Sequence, residues 1–261
     1  MGFEVPAQAY RRFMGRYSEP LAVVFAEACD VPAVGAPGLR SLDVGCGTGA
    51  LTQVLVERLG VEAVGACDPS ESFVAAVRSR FPGLDVRRAT AESLPYDDAS
   101  FDRTLAGLVV HFMADPVAGL ADMARVTAPG GVVGATVWDY ETAAGPLSVF
   151  WRAARILDPD VDDESGLAGV RKGQLPALFE SAGMDGAVPS LLSVDVVHPS
   201  FEEWWEPFTL GVGPAGDFVQ RLSDDDRRTL QARCRELLPP APFTVAAGAW
   251  TVVWTKTGAG V

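Results

Sequence analysis

Apolar runs of strand length alternate with segments of helical period from Leu39 to Tyr140, and no other feature of the chain constrains its fold so strongly. The run "LRSLDVG" reads as a buried strand, after which Leu51, Val54, Leu55 and Leu59 share one helical face before Gly60 stops it. "EAVGACD" is a second strand, and Pro69 and Ser70 start a helix whose buried side is Phe73, Val74, Val77 and Phe81. "LDVRRAT" and "FDRTLAGLVV" supply two more strands. Asp115 and Pro116 have the chemistry of an N-cap and a first helical residue; the helix they open ends before the turn "APGG", and "GVVGATVWDY" is the fifth strand. Such regular alternation predicts an α/β fold with a parallel sheet covered on both faces.

The second half keeps this rhythm around two insertions. Glu141 to Arg171 holds a Trp-bearing helix, "QLPALFESAG" resumes the sheet-packing pattern, and "LLSVDVVHP" forms a strand. A longer excursion from Ser200 to Pro242 precedes the final strand "FTVAAGAWTVVWTKT". Two late strands without an ordinary crossover helix predict an antiparallel edge pair, with the excursion folded over the sheet as a cap.

The 261 residues are 48% hydrophobic, enough for one large elaborated domain. With 34 acidic against 21 basic residues, a net charge of −13 and no Lys/Arg block, neither nucleic acid nor an anionic membrane is expected as a partner. Cys29, Cys46, Cys67 and Cys234 lack CxxC spacing and His111 and His198 lie far apart, so no metal site and no disulfide framework is read. "LAVVFAEAC" lacks a basic flank with a cleavage site and reads as an amphipathic helix. "MGFEVP" has Pro6 where a myristoylation signal after Gly2 needs Ser or Thr, and a soluble cytoplasmic protein is expected.

The chemistry centres on "LDVGCGTGALT", Leu42 to Thr52. Gly45, Gly47 and Ala50 satisfy GxGxx(G/A), and Asp68 ends the second strand where a dinucleotide fold carries its ribose acid, so by spacing alone NAD stays open. Yet Gly49 comes one residue early, and Asp43 at the mouth of the turn would repel phosphates. The string Asp43-Val44-Gly45-Cys46-Gly47-Thr48-Gly49 resembles the first motif of the class I S-adenosylmethionine (SAM) dependent methyltransferases. SAM offers a sulfonium, an α-ammonium, an adenosine and a carboxylate, and a carboxylate near the turn attracts its positive charge. Gly45 and Gly47, with Cys46 between them, let the backbone approach such a ligand closely.

The resemblance continues downstream. Asp68 in "CDPSESF", with Pro69 and Ser70, is similar to the family's ribose acid; otherwise it is a helix cap, a role Ser70 already serves. "TAESLPYDDASFD" resembles the segment that places Ala91 and Glu92 at the adenine, with Thr90 where an acid is common. Phe73 is either an adenosine neighbour or core. "LVVHFMADPVAGLADMARVTAPGG" looks like the small-molecule, ubiquinone-biosynthesis branch and adds Leu108 to the cofactor side. "AYRRFMGRYSEPL" looks like a family lid, in which Phe13 and Arg16 close over the methionine end, unless Arg16 is a solvated charge. The resemblance implies a Rossmann-like doubly wound seven-stranded sheet, mostly parallel with an antiparallel last strand, plus helical cap insertions. Its expected layout is a helical lid over 1–38, a SAM-binding core over 39–140, a cap insertion over 141–171, core again over 172–199, a second cap over 200–242 and a final core strand over 243–261.

Methyl transfer is an in-line displacement that needs positioning and exclusion of water but no protein nucleophile. His111, just after the fourth strand, is either a general base or a structural histidine. Trp138, Tyr140, Trp151, Trp204, Trp205 and Phe208 gather at the fifth-strand exit and in the caps, as walls for a small-molecule acceptor or as core of the cap; Trp250 and Trp254 alternate on the last strand and pack on the sheet. Two other readings stay open: an NAD(P)-dependent oxidoreductase and a SAM-binding module without catalysis.

Overall fold

Strands β1 (Ser41–Val44) and β2 (Val64–Asp68) are buried along their whole lengths, as strands covered on both faces must be. The computed structural model describes residues 7–35, 38–142 and 144–258, so the segment "MGFEVP" and parts of the expected lid, first insertion and final strand lie outside the described residues. With β3 (Asp85–Arg88), β4 (Phe101–Gly107), β5 (Thr127–Trp138), β6 (Val188–His198) and β7 (Phe243–Thr255), they form one sheet in the order β3-β2-β1-β4-β5-β7-β6. The pairs from β3 through β5 are parallel, and β7 runs antiparallel to both β5 and β6. This is the mostly parallel, seven-stranded α/β sheet expected from the sequence.

The crossover helices follow the apolar spacing. In α3 (Ala50–Leu59) the buried face is Leu51, Thr52, Val54 and Leu55, and in α4 (Glu71–Arg80) it is Phe73, Val74 and Val77. Helix α5 (Pro116–Val126) is capped by Asp115, whose Oδ1 accepts from the Ala118 N–H at 3.0 Å. "APGG" is no turn before β5 but part of it. The register passes from Phe101 opposite Thr127 to Arg103 opposite Val132, a bulge that absorbs these residues. The Gly130 N–H donates to Lys256 O, and the Lys256 N–H to Gly131 O, so the far end of β7 supplies the bulge with partners.

The chain enters through α1 (Ala7–Tyr10), a π-helical stretch (Arg11–Gly15) and α2 (Arg16–Ala28). The first insertion carries α6 (Ser148–Leu157), α7 (Gln174–Ser181) returns to the sheet, and the second insertion carries α8 (Phe201–Trp205), α9 (Gly213–Arg221) and α10 (Asp224–Leu237). Both insertions share one hydrophobic core with the N-terminal helix and β7. Phe150 stacks on Phe208 with centroids 4.5 Å apart and planes 6° apart, Trp204 packs 4.8 Å from Phe208, and Phe13 meets Phe208 edge-on at 5.1 Å. Among the described residues no helix is long and apolar enough to cross a membrane.

Trp204 and Trp205 are therefore buried in the centre of the cap. Trp204→Ala should destabilise the protein by about 3–5 kcal/mol, the usual cost of deleting a buried large ring. Denaturant unfolding measures this, and a variant as stable as the parent would return Trp204 to a surface or ligand-facing role.

Candidate active site

The turn after β1 is stapled to the end of β2. The N–H groups of Gly45 and Cys46 both donate to Cys67 O, at 2.8 and 2.9 Å, and the Gly47 N–H donates to Asp68 Oδ2 at 2.9 Å. Asp68 Oδ1 accepts from the Ser70 N–H at 2.8 Å, which makes Asp68 the organiser of this corner. Ser70 occupies the N-cap position of α4, but its hydroxyl makes no capping bond and meets Ser72 Oγ at 2.9 Å instead. The two glycines do different work. A Cβ on Gly45 would lie 2.3 Å from Val109 Cγ2, so Gly45 admits the loop after β4, whereas a Cβ on Gly47 would meet nothing within 4 Å. Both have positive φ, 71° and 52°.

These residues line a cavity of about 970 Å³ at the carboxyl ends of β1, β2 and β4, where the strand order reverses. Of the candidates read from sequence, Asp43, Gly45, Cys46, Gly47, Asp68, Pro69, Ser70, Phe73, Ala91, Glu92 and Leu108 all border it. Asp43 is 1% exposed, accepts from Thr52 Oγ1 at 2.6 Å, and burial pushes its carboxyl up to about 7. Burial also raises Asp68, against the two amide bonds that lower it. Glu92 is held lower by hydrogen bonds that outweigh its burial, among them the Asp115 N–H at 3.2 Å. Leu108 adopts φ 62° as β4 ends, and its N–H reaches Thr136 O at 2.8 Å. This left-handed residue turns the chain over the cavity.

The structure does not bring Phe13 and Arg16 to that cavity. Phe13 is part of the cap core, and Arg16 donates from Nη1 to His198 Nδ1 at 3.0 Å and pairs with Glu203 at 3.5 Å. His198 Nε2 then carries the proton and donates to Tyr17 Oη at 2.9 Å. In place of the expected Phe13, the cavity has Tyr10, three positions earlier, and its ring meets Phe73 edge-on at 5.9 Å; Ser18, Leu21, Ala22 and Phe25 of α2 border the cavity as well. The π-helical stretch from Arg11 shifts the phase of the helix, which plain helical spacing does not reveal.

A second, small cavity of about 30 Å³ shares Tyr10, Leu108 and Phe112 with the first, and is bordered by His111, Trp138, Tyr140 and Glu164. Trp151 borders neither cavity and stands behind Glu164, its Nε1–H donating to Glu164 Oε2 at 3.3 Å. Trp204, Trp205 and Phe208 border neither cavity; they are cap core. His111 is buried with its Nδ1 lacking a partner among the described residues, and burial alone holds it down to about 3. At neutral pH it is an uncharged ring and a weak base. Sequence reading missed Glu164, which sits in the acidic run "DPDVDDESG" with nothing to set it apart from its solvated neighbours.

Residues 42–134 match the methyltransferase domain family. An uncharacterised methyltransferase of Mycobacterium tuberculosis is 38% identical over 141 residues, 53% of this chain and 52% of that protein. A ubiquinone biosynthesis O-methyltransferase of Rhizobium etli is 36% identical over 117 residues, 43% of this chain and 46% of its own length. The chain thus spans about half the length of these relatives. The solved structure of geranyl diphosphate methyltransferase in complex with SAM superposes with a TM-score of 0.54 at 12% identity, covering 98% of this chain and 93% of that one, and shares the fold.

The buried carboxyl of Asp43 has a consequence for stability. Its folded value, about 7, lies above the ordinary 3.8, so between these limits the folded chain holds a proton the unfolded chain has lost. Its contribution therefore falls as pH rises from about 4 to 7, by at most about 1.4 kcal/mol per pH unit. Urea unfolding at pH 5 and pH 7.5 should show a smaller loss for Asp43→Asn than for the parent; equal losses would mean Asp43 is already ionised at pH 5.

Proposed function

Because residues 42–134 belong to the methyltransferase domain family, we propose that the chain transfers a methyl group from SAM to a small-molecule acceptor by in-line displacement. The observation that carries this reading is the pair of buried carboxylates, Asp43 and Asp68, at a glycine turn left open at Gly47. A dinucleotide fold also carries an acid where Asp68 stands, but Asp43 beside the turn disfavours a pyrophosphate, whereas a sulfonium and an ammonium are attracted there. The nicotinamide reading loses its support at that point.

The residues fit SAM. Each Asp68 oxygen accepts one backbone N–H and keeps lone-pair capacity for a ribose hydroxyl. Asp43 faces the cavity as the counter-charge for the methionine end. Tyr10 and Phe73 offer ring surface to the nucleoside, and Ala91 and Glu92 border the adenine end. Arg16, engaged with His198 and Glu203, has no part in this set. SAM, the methyl-donor substrate, supplies a carbon already activated by its sulfonium. The chain contributes position and exclusion of water, which in favourable cases supply roughly 7–11 kcal/mol of barrier lowering.

The chamber beneath the cap suits the reacting end of a small acceptor, and the name of the ubiquinone biosynthesis O-methyltransferase supports that class. The net charge of −13 opposes nucleic acid as acceptor. Thermal shift provides the test: SAM and its demethylated product should raise the melting temperature while NAD and NADP do not. Asp68→Ala should weaken SAM binding by roughly 1.5–3 kcal/mol, read by calorimetry on the folded variant. Stabilisation by NADP alone would overturn the reading, and firm SAM binding without turnover on any acceptor would favour a binding module.

A further inference from the structure

The small chamber beside the donor cavity is unusual in what it buries. Glu164 is 7% exposed, yet no Lys or Arg pairs with it among the described residues; its near polar neighbours are the Trp151 indole N–H and the Tyr140 hydroxyl. Asp163, the adjacent acid, is occupied by Arg155, by the Ser165 N–H and by its place at the start of a short helical turn. His111 faces the same chamber from the end of β4, with a buried Nδ1 that has no partner among the described residues. Tyr10 comes from the lid, and its hydroxyl feels both Glu164 and Asp68, so it stands between the chamber and the donor cavity. A carboxylate and an unpartnered imidazole buried in one place, without a counter-ion, form a costly arrangement for stability alone.

Resting on the methyltransferase reading above, we propose that Glu164 is the proton acceptor of this enzyme, taking the proton of an acceptor's weakly acidic hydroxyl, a phenol or enol, while His111 holds that oxygen by a second hydrogen bond. The chamber, about 30 Å³, has room for one or two non-hydrogen atoms, so only the reacting end of the acceptor enters it. Its remaining wall, Phe13, Met14, Trp138 and Leu147, is apolar and suits the carbon skeleton behind the hydroxyl. The step balances. An oxygen lone pair forms the new O–C bond, the C–S bond breaks with its pair passing to sulfur, and the hydroxyl proton passes to the Glu164 carboxylate. The sulfonium's positive charge and the carboxylate's negative charge disappear together, which a water-poor site favours. A carboxylic acid acceptor would place a second negative charge against Glu164 and is excluded on the same ground.

Burial lifts Glu164 to about 7, with the Trp151 N–H and the nearby Tyr140 hydroxyl pulling it down and Asp163 pushing it up. A base in that range is matched to neutral pH, whereas His111, held down to about 3, is not. Activity should therefore rise with pH through about 7 as Glu164 loses its proton.

The experiment sets a panel of phenols beside the carboxylic acids of the same ring skeletons, with SAM, and reads release of the demethylated product. Phenols should be methylated and the acids not. Glu164→Gln, which keeps an oxygen for the Trp151 N–H, should lower kcat/KM by 10²–10⁴-fold and abolish the rise through pH 7, with SAM affinity and melting temperature retained. Tyr140→Phe removes a nearby hydroxyl that favours the ionised carboxylate, so its rise should move to higher pH, a shift that a purely structural role would not produce. Glu164→Gln within threefold of the parent, preference for the acids, or a SAM-binding protein that methylates no phenol would each overturn the proposal and leave the donor reading standing. Absence of SAM binding would remove both.

Discussion

The hydrogen bond from the Gly47 amide to Asp68 joins the turn after β1 to the end of β2, and the site is built outward from that tie. Two neighbouring strands that each bury a carboxylate near their carboxyl ends would be costly unless each acid found donors. Asp43 finds the Thr52 hydroxyl, one turn into α3, and Asp68 finds two backbone amides. Both acids are thereby held at the cavity wall by short, local bonds. The ligand crevice then follows from topology, because β1 has β2 on one side and β4 on the other, and the crossovers leave the sheet in opposite directions from that point.

Much of this was legible from local chemistry. Strand positions follow from apolar runs bounded by Gly, Pro and Asp, and all seven strands lie where those runs stand. The cofactor-side residues are nearly contiguous in sequence with strand ends, so placing the strand placed the residue, as with Asp43 and Asp68. What could not be read depends on contacts between distant segments. Phe13 and Tyr10 are both aromatic and three residues apart, and only the π-helical stretch between them decides which one faces the cavity. Trp204 and Trp205 have a composition equally fit for a pocket or a core, and the stack of Phe150 on Phe208 settles them as core. Glu164 has neighbours from the lid, β5 and α6, none of them near it in the pattern.

The caps also alter the electrostatics of the site. A carboxylate on an open strand end would be solvated and ordinary, but burial of Asp43 at the end of β1 and of Glu164 in the first insertion lifts both into the range of neutral pH. Burial acts oppositely on His111, which becomes a neutral hydrogen-bonding ring. Burial thus separates the titrating behaviour of residues that sequence alone would rank in the reverse order.

Helix α2 gives Ser18, Leu21, Ala22 and Phe25 to the donor cavity, while Tyr17 and Leu21 are shared with the core of the cap. No seam divides this cavity from the core of the cap along the helix, and Leu21 belongs to both. A substitution at Leu21 is therefore felt in the cavity and in the packing of the cap at once, so the shape of the crevice and the stability of its cover cannot be changed independently at this position.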